Sequence, residues 1–391
     1  MLNYEHILSR TVREMPPSGI RKFFDIANTM EDVISLGVGE PDFPTPWRIR
    51  QAAIKTLELG KTRYSANRGL LSLRQNVAAY LARKYGVSYR PEDEILLTVG
   101  GSEAIDMCIR AVVEPGDEVI IPQPSYVCYE PLTRMAGGVP VIIETRAEDD
   151  FKVTPAALRA AMTPRTKALV LPYPCNPTGA IMEEEDIRRL AEVLRGTDIL
   201  VISDEIYAEL TFGATRHVSP AAVDDLWERT VLINGFSKAF SMTGWRLGFA
   251  CGPKEVLGQM TKLHQYAIMC APTVSQYAAC EALLHCDAEV EEMREEYDVR
   301  RRIIVHGLRE IGLPCREPRG AFYAFPCIAG TGMTSEEFCE KLLYEKHVAL
   351  VPGTAFGRGG EGFVRASYCY STEHIHEALG RIAAFLGERQ R

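Results

Sequence analysis

Short apolar runs alternate along this chain with segments whose apolar residues recur at helical spacing. The runs are Glu94–Val99, Glu118–Ile121, Pro140–Glu144, Ala168–Leu171, Ile199–Ser203, Thr230–Ile233 and Arg246–Ala250. Most are apolar at successive residues rather than at every second one, which suits strands buried on both faces. Between the runs, Ser102–Val113 sets Ile105, Cys108, Ile109 and Val112 on one helical stripe, and Glu183–Leu194 reads as another helix. This alternation predicts an α/β fold, with a mainly parallel seven-stranded sheet between helices.

Both ends of the chain read differently. Residues 36–44 are punctuated by Gly and Pro, in Leu36-Gly37-Val38-Gly39-Glu40-Pro41-Asp42-Phe43-Pro44. A helical stretch rich in Glu and Arg runs from Ala288 to Ile311. Two strand-like pieces follow it, Ala321–Phe325 and Gly362–Ser367. The expected division is an N-terminal arm with part of a small domain over 1–45, a large domain over 46–285, and a smaller C-terminal α+β domain over 286–391. A length of 391 residues fits about two domains.

Composition narrows the function. The net charge is -8, and no basic stripe suited to nucleic acid is visible. No apolar run is long enough to cross a bilayer, and Met1–Arg10 lacks the apolar core of a secretory signal. Eleven cysteines, an odd number without a C-x-x-C pair, read as reduced thiols of a cytoplasmic protein. No metal site is expected: His374 and His376, the close histidine pair, would face different ways on a helix.

Polar residues stand just beyond three of the strand candidates. Asn176 lies in Asn176-Pro177-Thr178-Gly179, Asp204 in Ser203-Asp204-Glu205-Ile206-Tyr207, and Lys238 in Ser237-Lys238-Ala239-Phe240-Ser241. Open parallel sheets bind ligands at the carboxyl ends of their strands, so the three can share one crevice. Gly100-Gly101-Ser102-Glu103 joins a strand to a helix N-terminus, where exposed N–H groups and the helix dipole favour an anion. Taken singly, each has an ordinary explanation. A lysine is usually a solvated charge, an aspartate after a strand is often a helix cap, and Asn-Pro-Thr-Gly is a turn. Their order along one chain makes the combination informative.

That order, completed by Met242-Thr243-Gly244-Trp245-Arg246-Leu247-Gly248, resembles the class I/II aminotransferases of pyridoxal-phosphate (PLP) fold type I, from about Ile34 to about Leu379. The resemblance implies a PLP enzyme exchanging amino groups between a 2-amino acid and a 2-oxo acid. It implies a Schiff base to the cofactor on Lys238, which also moves the α-proton. Asp204 would hold the pyridine nitrogen protonated. Tyr207 and Asn176 would bond the phenolic oxygen. Gly101, Ser102, Ser237 and Arg246 would hold the phosphate, and Tyr126 would stack on the ring. Arg365 would clamp the substrate α-carboxylate through a planar two-bond contact, with the Gly39 backbone beside it. Tyr64 matches a position that reaches the neighbouring subunit's phosphate, which implies a homodimer with shared active sites.

Other readings share some of these features. Carbon–sulfur β-lyases have the same fold and nearly all the motifs. Some regulators carry an aminotransferase-like domain behind a DNA-binding module, although no helix-turn-helix fits before Ile34. A dinucleotide-binding dehydrogenase needs a glycine pattern that Gly100-Gly101-Ser102 does not supply. One departure concerns substrate. Some bacterial aspartate aminotransferases carry lysine where Ser102 stands, so aromatic amino acids or an acylated diaminopimelate are open alongside aspartate. Arg21 is a candidate substitute for that lysine, within Ser18-Gly19-Ile20-Arg21-Lys22-Phe23-Phe24, a segment similar to one lining the family's substrate entrance.

Overall fold

The computed structural model describes residues 2–17, 19–20, 26 and 30–388; Ser18, Arg21, Lys22, Phe23 and Phe24 lie outside the described residues. In chain order the strands are β1 (Ile34–Ser35), β2 (Ile95–Thr98), β3 (Glu118–Gln123), β4 (Val139–Glu144), β5 (Thr166–Leu171) and β6 (Leu200–Asp204). Then come β7 (Thr230–Gly235), β8 (Gly248–Cys251), β9 (Tyr323–Ala324), β10 (Val348–Ala349), β11 (Val351–Pro352) and β12 (Val364–Ser367). Strands β2 to β8 form one sheet in the order β2-β8-β7-β6-β5-β3-β4. All pairs are parallel except the two made by β8.

Each of the seven predicted runs becomes one of these strands, with ends shifted by about two residues or fewer. Their continuous apolar character has a direct cause. Val119 and Ile121 of β3, Val170 of β5 and Ile202 of β6 pack on one face with Ile105, Cys108 and Ile109 of the Gly101–Val112 helix. The intervening Ile120, Leu169, Leu171 and Val201 pack on the other face with Leu190 of the Glu184–Leu194 helix. The pleat sends neighbours to opposite faces, and both faces are covered. Burial of each such side chain contributes about 1.5–3 kcal/mol. One boundary differs from expectation: Arg246 precedes β8, in a left-handed turn at φ +51° after the 3-10 turn Thr243–Trp245.

The chain ends pack together. The Asp287–Glu310 helix contacts the Thr372–Gly387 helix. β1 pairs with β10 in parallel, and β12 lies between β11 and β9, antiparallel to both.

Candidate active site

Parallel strands bring their exits to a single edge of the sheet. Gly100 and Gly101 follow β2, Tyr126 follows β3, Asn176 follows β5, Asp204 ends β6, and Ser237 and Lys238 follow β7. Because β8 runs the other way, its beginning lies at this same edge and delivers Arg246 there. The exits surround a cleft of about 750 Å³, which also takes in Gly39, Tyr207 and Arg365. Every predicted site residue lines it except Tyr64, which is 81% exposed on the surface.

The turn after β2 is built by close approach. Gly100 has φ +78°, and a Cβ there would lie 2.8 Å from an Arg246 guanidinium nitrogen. A Cβ on Gly248 would lie 2.7 Å from the Gly100 carbonyl carbon. Two positions without side chains therefore let β2, β8 and the Gly101–Val112 helix converge beside Arg246. The Arg246 NH1 group donates to the Thr243 carbonyl at 3.1 Å.

Asp204 is buried. Its Oδ2 accepts from the Tyr129 hydroxyl at 2.7 Å and its Oδ1 accepts from the Ile206 N–H at 3.2 Å. Burial raises its pKa, against the opposing pull of the Tyr129 hydrogen bond. Lys238 donates from Nζ to the Gly39 carbonyl at 2.8 Å. Burial pushes that amine down to about 8, so a neutral fraction exists near physiological pH.

Across the cleft, the buried Arg365 guanidinium donates through NH1 to Asn176 Oδ1 at 2.8 Å and through NH2 to the Gly37 carbonyl at 2.5 Å. It lies 4.4 Å from the Tyr323 ring centre and 4.8 Å from that of Phe356. Its Nε has no hydrogen-bond partner among the described residues. The Tyr207 hydroxyl is 2.8 Å from that of Tyr323.

Two participants were not singled out from the sequence. Tyr129 stands three residues after Tyr126 and begins the Tyr129–Met135 helix; spacing from Tyr126 was its only signal. Tyr323 falls inside an anticipated strand, Ala321–Phe325, but nothing local marks its hydroxyl as part of a site. Among the described residues, no group of three or more His, Cys, Asp or Glu side chains could hold a metal ion. No helix among them is long and apolar enough to cross a membrane.

Known proteins are similar to this chain over nearly its whole length. The aminotransferase class I and II family matches residues 31–382. The protein YugH of Bacillus subtilis is 52% identical over 379 residues, 97% of this chain and 98% of that one. The aspartate aminotransferase of Pyrococcus abyssi is 45% identical over 376 residues, 96% of this chain and 97% of that one. The crystal structure of the aromatic aminotransferase from Pyrococcus horikoshii superposes with a TM-score of 0.90 at 44% identity, covering 94% of this chain and 99% of that one.

Proposed function

We propose, on the premise that this chain belongs to the class I and II aminotransferases, that the cleft at the strand exits is its active site. The enzyme uses pyridoxal 5'-phosphate to move an amino group between a 2-amino acid and a 2-oxo acid. The described residues fit that cofactor. A half-buried amine with a lowered pKa, a buried carboxylate and a helix N-terminus beside an arginine share one cleft. When bound, the cofactor supplies a protonated aromatic ring that accepts the electron pair left as an α-proton departs.

In this reading the remaining work falls to the chain. Lys238 Nζ would hold the cofactor and would carry the proton to and from the substrate α-carbon; its lowered pKa suits that base role. Asp204 keeps the pyridine nitrogen protonated, since a buried carboxylate is best satisfied by a cation opposite. Tyr207 and Asn176 hydrogen-bond the phenolic oxygen. Arg246, Ser237, Ser102 and the Gly101 N–H at the helix N-terminus hold the phosphate, while Tyr126 stacks on the ring. Arg365, with Asn176 and the Gly39 backbone, takes the substrate α-carboxylate. The open Nε of Arg365 supports that role.

The donor is proposed to be an aromatic or other apolar 2-amino acid. Ile20, Val38 and Val127 supply apolar lining that supports it. The assembly is proposed to be a cytoplasmic homodimer, with Tyr64 completing the neighbour's phosphate site. Tyr64, Tyr266, Ile268 and Met269 are exposed, and Asn67 and Thr273 tie their segments together; such apolar surface suits a partner. Eleven cysteines without a disulfide suit a reducing compartment. The ends, 1–45 and 286–391, are proposed as a small unit set against 46–285, with support from the β1–β10 pairing.

The observation carrying this reading is the union of Lys238, Asp204 and Arg365 in one cleft. A panel of amino acids, assayed with 2-oxoglutarate, pyruvate and oxaloacetate, tests it. Phenylalanine or tyrosine should outperform aspartate, and Lys238→Ala should lose turnover with every donor. Full turnover in Lys238→Ala would falsify the lysine assignment, and a strong aspartate preference would sink the donor proposal.

A further inference from the structure

We infer that Tyr323 is a positioning residue joining the substrate clamp to the cofactor side of the site. Its ring supports Arg365 and its hydroxyl polarises Tyr207. The inference rests on the roles proposed above for Arg365 and Tyr207.

Strand register brings these groups together. β9 and β12 are antiparallel, with Tyr323 opposite Ser367 and Ala324 opposite Ala366. Residues two apart on a strand share a face, so Arg365 and Ser367 point the same way as Tyr323. Tyr323 and Arg365 are thus diagonal neighbours, a separation that an aromatic ring and a long side chain can bridge. The guanidinium lies 4.4 Å from the Tyr323 ring centre and has Phe356 on another side. A planar cation held against two rings in this way loses little freedom when it meets a carboxylate.

The Tyr323 hydroxyl has a separate task. It lies 2.8 Å from the Tyr207 hydroxyl, and Tyr323 is 1% exposed. Burial raises the pKa of both phenols, so both keep their protons in the working range. If Tyr207 donates toward the cofactor's phenolic oxygen, its own oxygen is left to accept from Tyr323. A donor that also accepts a hydrogen bond is a stronger donor.

The space around Tyr323 is tight. A Cβ on Gly39 would come within 2.0 Å of the Tyr323 hydroxyl oxygen. The loop carrying Gly37 and Gly39 therefore rests on this phenol, while its carbonyls accept from Arg365 and Lys238. Asn176 offers one path from Arg365 toward the cofactor; Tyr323 and Tyr207 offer a second.

Hydroxyl and ring can be tested apart. The substrate-free holoenzyme is titrated by visible absorbance against pH, and L-phenylalanine and L-aspartate are titrated in single-turnover half-reactions. Tyr323→Phe should raise the absorbance midpoint by roughly 0.3 pH unit, the size of a modest weakening of one charge-assisted hydrogen bond, while apparent Kd for the amino acids holds within about twofold. Tyr323→Leu should show the same midpoint shift and also raise apparent Kd by about three- to thirtyfold, as loss of a cation–π contact requires. A midpoint unmoved in Tyr323→Phe, while Tyr207→Phe moves it, overturns this inference alone. A midpoint unmoved in Tyr207→Phe overturns the underlying site assignment together with the inference. Wild-type apparent Kd in Tyr323→Leu overturns the support role of the ring.

Discussion

Tyr129 donates its hydroxyl proton to Asp204 Oδ2 at 2.7 Å, and both residues are buried. Burial raises the pKa of Asp204, and the hydrogen bond from Tyr129 pulls the other way, in favour of the carboxylate. Tyr129 is the first residue of a helix whose entry carries Tyr126, and the two rings meet edge to face at 6.1 Å. One short segment thus supplies both an aromatic face for the cleft and the brace for its acid.

Removing that brace should slow the chemistry without weakening substrate binding. In Tyr129→Phe the carboxylate becomes a stronger base and competes with the ring nitrogen for its proton. The expected loss in kcat is about 10- to 100-fold, the value of one hydrogen bond to a charged group, with KM nearly unchanged. Steady-state kinetics decide it; a wild-type kcat means that Asp204 does not depend on Tyr129.

Lys238 should make the cofactor-free protein less stable at neutral pH. Its amine titrates near 8 when folded, against 10.5 in a free lysine. Between those values the unfolded chain holds the proton and the folded one does not, so wild-type stability rises with pH across that window and is lowest below it. Lys238→Met lacks this penalty. It should be more stable than wild type at pH 7 by roughly 2–3 kcal/mol, with the gap closing toward pH 10. Denaturant titrations of both apoproteins at the two pH values measure this; a gap that stays constant with pH contradicts it.

Gly100 should tolerate no side chain. Its φ is +78°, and a Cβ would press on Arg246 at 2.8 Å. Gly100→Ala should weaken cofactor binding by about tenfold or more, from backbone strain and displacement of the guanidinium. Gly258 sits in the Lys254–Ala267 helix with nothing within 4 Å of a Cβ. Gly258→Ala is the control and should add about 0.5–1 kcal/mol of stability. Equal cofactor affinity in Gly100→Ala and wild type argues against this turn as the phosphate cup.

If the proposed homodimer shares its sites, mixed dimers should show it. Tyr64→Ala and Lys238→Ala should each be nearly inactive. After co-refolding, hybrids that place an intact Tyr64 opposite an intact Lys238 should recover about a quarter of wild-type activity, since half the dimers are mixed and each has one complete site. Mixtures no more active than the better parent count against a shared site.

Much of the framework was legible in the chain. Strands buried on both faces read as unbroken apolar runs, and all seven runs became strands of one sheet. Asn176, Asp204 and Lys238 were legible because each follows such a run, where the geometry of a parallel sheet places its ligands. The order of strands was not legible, nor was the reversal of β8, because an apolar run records only that its faces are covered. Ile142 illustrates this: it belongs to a run like the others, Pro140–Glu144, yet β4 lies at the sheet edge and leaves it exposed.

By itself, the sequence determined which segments would be buried strands and helices, and which polar groups would stand at their exits, because spacing along a chain is a local property. Tertiary structure alone decided that Tyr129 would meet Asp204, that Arg246 would turn back beside Gly100, and that Tyr323 would lie against Arg365. Those meetings depend on register and crossover between segments far apart in the chain, and a hydroxyl carries no local mark of the partner that the fold will bring to it.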